Sequence, residues 1–225
     1  MNNYKIIQDI NELTKFIDWL PELLNNEIFY CSLFARKKYC QELIKSNHSN
    51  QLKRFTSDKR YLIKKLRSLE LPFGNYTTKG DNIAPQEALA AYILPNPRNV
   101  HQASFRSIEK LSKMLSIHNN NFNPITQVMS CIQKTKSRSV VVDFDFDDKD
   151  KNIIKECTMI VNEEALTVVE TRGGYHVLVK PKLVTQNEKN WYKLIKDLGA
   201  DESGDIMLPI PGCVQGDFVP RIVKL

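Results

Sequence analysis

Val140-Val141-Val142-Asp143-Phe144-Asp145-Phe146 is a β-branched run that passes into strict alternation of acidic and aromatic residues, and its reading decides the fold. β-Branched and aromatic side chains suit a half-buried pleated surface, so the pattern predicts a strand over 140–146. Successive side chains point to opposite faces. Phe144 therefore faces one layer, and Asp143 and Asp145 face the other, about 7 Å apart along the strand. Asp is disfavoured inside strands, and two on one face repel each other. The plain reading is a pair of strand-end carboxylates in water. The chemical reading is a shared site for a divalent cation, with a nucleoside triphosphate supplying the remaining oxygens.

Downstream, Leu166–Glu170 and Tyr175–Val179 read as two strands joined by Thr171-Arg172-Gly173-Gly174, a hairpin signal. The glycine pair permits a tight turn and close approach of backbone to a phosphate. Arg172 has the donor fork to clamp phosphate oxygens, and His176 opens the returning strand. Further on, Asp205 stands before a short apolar strand, Ile206–Leu208, followed by Pro209-Ile210-Pro211-Gly212 and a strand over 218–223. A third carboxylate beside the first two would complete a two-metal arrangement; a turn Asp after Gly204 is the plainer alternative. Helices are predicted over 151–161 and 191–198.

Upstream, Asn11–Leu24 has helical apolar spacing, with Leu13, Phe16, Ile17, Leu20, Leu23 and Leu24 on one side. Ile28–Phe34 reads as a buried strand, Tyr39–Ile44 as a helix, and Asp58–Leu69 as a basic helix with Tyr61, Leu62, Leu66 and Leu69 inward. Leu71–Pro85 reads as a loop. Ala88–Leu94 is a strand that Pro95-Asn96-Pro97 should stop. Phe105–Ile117 is a helix with Ile108, Leu111, Met114 and Leu115 on one face, and Ile125–Ile132 is another. The expected class is α+β: a single domain over 1–225, with a helix-rich basic part (1–135) packed with a sheet-rich part (136–225) carrying the site.

Residues 1–70 hold 13 Lys and Arg against 8 Asp and Glu, in a chain of 225 residues with net charge +6. Lys53, Arg54, Lys64 and Lys65 belong to that excess, while acidic residues gather between Asp143 and Asp150. A polyanion track leading to a metal site has this form; so does a solvated helix face. The five cysteines are odd in number, widely spaced and without a Cys-x-x-Cys pair, which argues against a disulfide framework and against zinc. They are expected in the core, Cys213 least so. No apolar run of 18 residues occurs, and the Met1–Lys5 start lacks a signal-peptide core, so no membrane and a cytoplasmic location are expected.

The Asp143/Asp145 strand, then Gly174-Tyr175-His176, then Asp205 resemble, in order and spacing, the archaeo-eukaryotic primase superfamily. Leu208-Pro209-Ile210-Pro211-Gly212-Cys213 with Gln215 looks like the loop after the third motif in phage and plasmid primase-polymerases. Phe34–Tyr39 and Tyr92–Arg98 look like their bacterial N-terminal half. The resemblance runs from about Phe29 to Val223. It implies a primase-polymerase fold whose mixed sheet is of a modified RNA-recognition type. It also implies template-directed transfer of a nucleotide from NTP or dNTP to a 3′-hydroxyl. Asp143, Asp145 and Asp205 would hold two Mg²⁺ or Mn²⁺ ions. His176, Arg172, Gly173 and Gly174 would hold the triphosphate, helped by Arg36, Lys37, Lys38 and Arg98. The implied partners are a DNA or RNA template and primer, and a separate accessory helical domain or helicase.

Three departures stand beside it. Gly174 replaces the Ser common two residues before the His, zinc-ligand spacing is absent, and the sequence ends soon after the last motif. Two rivals remain open. Asp-x-Asp also serves glycosyltransferases using a sugar nucleotide and Mn²⁺, and a primase-like domain can bind nucleic acid without catalysis.

Overall fold

The computed structural model describes residues 2–40, 50–78, 82–116 and 123–225. In chain order its elements are α1 (Ile10–Trp19), β1 (Glu27–Ala35), β2 (Asn50–Ser57), α2 (Lys59–Arg67), β3 (Leu89–Asn99), α3 (Val100–Leu115) and α4 (Pro124–Lys134). There follow β4 (Val142–Phe146), α5 (Lys151–Ile160), β5 (Leu166–Glu170), β6 (Tyr175–Val179), α6 (Trp191–Asp197), β7 (Glu202–Gly204), β8 (Leu208–Pro209) and β9 (Arg221–Val223). The class is α+β. Two sheets form, one in the order β2-β1-β3-β8 and one in the order β7-β4-β6-β5-β9.

Five helices start on a side chain that takes up an orphaned backbone N–H. Asp9 accepts from Asn11 and Glu12, Asp58 from Tyr61, Asn99 from Gln102, Asn123 from Thr126 and Asp150 from Asn152. Pro124 occupies the first turn of α4, where its missing N–H costs nothing.

In the first sheet, Phe29, Cys31, Leu33, Leu89, Ala91 and Ile93 pack with Leu13 and Phe16 of α1 and Leu62 and Leu66 of α2. In the second, Phe144, Phe146, Val168 and Val177 pack against α5 and α6, with Cys157 and Ile195. The alternation then turns Asp143, Asp145, His176 and Leu178 to the other face, where Leu178 joins the first core.

Several expectations are corrected. The sheets are not mixed: every named strand pairing is antiparallel. The helix-rich first half also supplies three strands, β1, β2 and β3, of which β2 was not expected. β2 was illegible because Lys53-Arg54 breaks its apolar pattern, as suits an edge strand. Pro95-Asn96-Pro97 does not end the strand. The register with β1 moves from Leu94↔Tyr30 to Arg98↔Ile28 across a bulge, and a bulge tolerates residues without an N–H to give the ladder. Tyr61, Ile108, Leu115 and Leu24 are exposed; α3 buries Ala103 and Ser107 instead. Cys213 is fully buried, and all five cysteines are free. The helix expected at Tyr39–Ile44 and the end of the one expected at Ile117 lie, beyond Cys40 and Ser116, outside the described residues; Lys37–Tyr39 is a short 3₁₀ turn. Among the described residues no helix is long and apolar enough to cross a membrane.

Candidate active site

The antiparallel register builds the site. β4 is central, with β6 on one side and β7 on the other. Asp145 lies opposite His176 on β6 and opposite Glu202 on β7, while Asp143 faces Gly204. His176 is 4% exposed and is bracketed by both carboxylates. Its Nδ1 lies 2.9 and 3.0 Å from the two Asp143 oxygens, and its Nε2 lies 3.3 Å from Asp145 Oδ1. Asp143 and Asp145 thus share one face of β4, as the alternation requires.

The electrostatics follow from that crowding. Burial raises the Asp143 carboxyl above its usual range; His176 pulls it back, and Asp205 and Glu202 push it up. Burial also raises Asp145, with Asp143 and Asp147 adding and His176 and Lys38 opposing. Burial alone would lower His176, but Asp143 and Asp145 outweigh it and hold the imidazole above its ordinary value. Asp145 beside Glu202 is a like-charge cross-strand pair, unfavourable unless a cation lies near.

Asp205 enters through a different partner. Arg98, 1% exposed, forks onto it with 2.8 and 2.6 Å bonds and donates a third, of 3.0 Å, to the Gln133 carbonyl. That carbonyl is one of those a helix C-terminus leaves unpaired, so Arg98 also closes α4. Asn96, in the bulge of β3, is the connector that sequence reasoning missed. Its Oδ1 accepts from Val140 and Val141 at 2.7 and 2.9 Å, and its Nδ2 donates to the Val141 carbonyl and to Asp205 Oδ1 at 2.9 and 3.0 Å. These bonds occupy the backbone of Val140 and Val141, so the strand begins at Val142. A buried Asn between two prolines was the available signal.

These groups face a cleft of about 650 Å³ between the sheets. One wall is acidic: Asp145, Asp147, Asp201, Glu202 and Asp205. The other, carried by β1 and its following turn and by β3, presents Phe34, Tyr92, Arg36 and Lys38. Arg36 lies over the Tyr92 ring at 5.6 Å, and burial raises the Tyr92 hydroxyl.

Of the residues singled out from sequence, Asp145, Asp205, His176, Gly173, Arg36, Lys38 and Arg98 line this cleft, and Asp143 lies directly behind His176. Arg98 does so as the partner of Asp205 rather than as an open cation. Arg172 is placed elsewhere than expected. It pairs with Asp217 at 2.6 Å and stacks over Tyr39 at 4.7 Å, while its N–H donates to buried Gln215. The Gly174 N–H points to Thr171 Oγ1 at 3.3 Å, within the turn. A Cβ there would stand 1.9 Å from the Phe146 carbonyl, so the glycine is required by the neighbouring β4 backbone. Lys53, Arg54, Lys64 and Lys65 line no part of the cleft; α2 lies across the first sheet from Phe34 and Tyr92.

Asp145, Glu202 and Asp205 are the cleft residues that could hold a cation, since crowded, partly buried carboxylates carry repulsion that a cation relieves. In the present arrangement their oxygens close onto His176 and Arg98, and among the described residues no three His, Cys, Asp or Glu side chains converge as metal ligands. No protein-family model matches the chain, and no curated protein or solved structure is significantly similar to it.

Proposed function

We propose that this chain is a template-directed nucleotidyltransferase with the archaeo-eukaryotic primase-polymerase fold, adding NTP or dNTP to a 3′-hydroxyl with release of pyrophosphate. One observation carries the reading: a single cleft has a carboxylate wall centred on Asp145 and, facing it, a cationic and aromatic wall of Arg36, Lys38, Phe34 and Tyr92. A nucleoside triphosphate with its divalent cation needs both walls. Asp145, with Glu202 and Asp205 at the rim, would hold Mg²⁺ or Mn²⁺ in the cleft, while Asp143, behind them, anchors His176. Bound there, such a cation would supply Lewis-acid activation of the 3′-oxygen and charge neutralisation of the triphosphate.

The chain's own groups do the rest. Arg36 and Lys38 bind the triphosphate as charged donors. Phe34 and Tyr92 offer aromatic surface to the base. His176 holds its proton between Asp143 and Asp145, which keeps two close carboxylates ionised together. Arg98 and Asn96 fix Asp205 at the rim.

The test offers the purified protein primed and unprimed templates, each nucleotide set and a nucleotide sugar, in Mg²⁺ and in Mn²⁺. Template-dependent extension supports the proposal. Turnover of the nucleotide sugar alone would assign the cleft to glycosyl transfer. Oligonucleotide binding with no turnover of either would make the chain a binding module.

A further inference from the structure

The nucleotidyl-transfer reading leaves open how a polymer reaches the cleft. A second groove, of about 240 Å³, opens between α3 and α4. Arg106, Glu109, Lys110 and Lys113 line it from α3, at i, i+3, i+4 and i+7, which is one stripe of a helix. Lys134 lines it from α4. Glu109, the single carboxylate of the groove, is taken by Lys113 at 2.5 Å. Lys110 and Lys134 have no carboxylate partner among the described residues. Four cations therefore line the groove against one acid, an excess of three.

Lys134 also lines the cleft between the sheets, so cleft and groove adjoin at the end of α4. Beside the cationic stripe, α3 exposes Phe105 and Ile108. Phosphates next to exposed aromatic surface are what a single strand presents and accepts.

We infer that the α3–α4 groove carries the sugar-phosphate backbone of a single-stranded polynucleotide out of the cleft. Arg106, Lys110 and Lys113 contact phosphates over about 10 Å of helix axis, taking 1.5 Å per residue, and Phe105 offers a stacking surface. The inference rests on the nucleotidyl-transfer reading, and it moves the polyanion path from the cations of β2 and α2 to those of α3.

The experiment follows a labelled single-stranded oligonucleotide by fluorescence anisotropy, in DNA and RNA arms, from 50 to 200 mM salt. It compares the unmodified protein with Arg106→Gln/Lys110→Gln/Lys113→Gln and with a charge-matched control on α5 and α6, Lys151→Gln/Lys155→Gln/Lys193→Gln. Each phosphate contact to a single strand adds roughly 0.7 to the slope of log affinity against log salt. The groove variant should flatten that slope by about 2 and bind on the order of ten-fold more weakly at the lowest salt. The control should match the unmodified protein, and ATP binding should be equal in all three. An unchanged slope in the groove variant, an equal loss in the control, or preference of the unmodified protein for polyglutamate over the oligonucleotide overturns the inference. Normal primer extension with an unchanged groove-variant slope would sink the path alone. A flattened slope in a protein that adds no nucleotide would support the path and sink the reading of the cleft.

Discussion

Replacing Arg98 should show that the cleft is held open by a coupled buried pair. Arg98 is 1% exposed, and the Asp205 side chain it grips is 23% exposed. Arg98→Met keeps the aliphatic stem and removes the fork. Asp205 is then left with the Asn96 amide as its only partner among the described residues, and the Gln133 carbonyl loses its donor. Breaking a buried pair from one side costs about 3–5 kcal/mol. Asp205 recovers some water through its open quarter, so the lower end, about 3 kcal/mol, is expected. At about 2–4 °C per kcal/mol for a chain of this length, the melting temperature should fall by roughly 6–12 °C. Asp205→Asn should cost a similar amount by stranding Arg98. The double variant should cost less than the sum by at least about 1 kcal/mol, because neither charge is left alone. The assay is denaturant unfolding of all four proteins. Additivity within about 0.5 kcal/mol would mean that the pair is not coupled and that the cleft is set by other contacts.

Gly174→Ala should fold poorly, losing about 3 kcal/mol or more, because its Cβ would meet the Phe146 carbonyl at 1.9 Å and the Asp148 backbone at 2.6 Å. Gly173→Ala meets only the movable Asp147 carboxylate, at 2.8 Å, and should be tolerated; circular dichroism melts of the pair test the contrast. Stability should fall as pH rises. His176 lies above its unfolded value of 6.5, so its contribution is complete below that pH and is lost as pH climbs through the folded value. Asp143 and Asp145 lie above 3.8, so the folded chain again holds protons that the unfolded chain has released. A melting temperature that increased from pH 6 to pH 8 would contradict the His176 shift. Mn²⁺ at about a hundred times its dissociation constant should stabilise the protein by about 2.7 kcal/mol, and Asp145→Asn should remove most of that gain in a thermal-shift measurement.

The chemistry-bearing strands were the most legible part of the sequence. Leu166–Glu170 and Tyr175–Val179 are strands with the bounds read from the sequence, and the period of two puts Asp143 and Asp145 on one face of β4; that His176 meets them there is set by the antiparallel pairing of β4 with β6, which no local pattern announces. Legibility failed where tertiary contacts replaced local signals. β3 continues through two prolines because a bulge and the Asn96 side chain supply what the ladder lacks. β7 is three residues long and exists only as a partner of β4. Arg172 and Arg98 have phosphate-binding chemistry, but Asp217 and Asp205 take them, and no sequence pattern announces which acid an arginine meets. The exposed apolar stripe of α3 misled for a related reason: Ile108 and Leu115 have core-like spacing but face outward.

The central claim is that Asp145 and the wall facing it perform nucleotide addition on a template. Template-dependent pyrophosphate release in Mg²⁺ and in Mn²⁺ tests it directly, with Asp145→Ala beside the unmodified protein and both checked for folding by their melting curves. Release should require template and the complementary nucleotide, and Asp145→Ala should abolish it while remaining folded. Release that is absent from the unmodified protein, or that persists undiminished in folded Asp145→Ala, would contradict the claim.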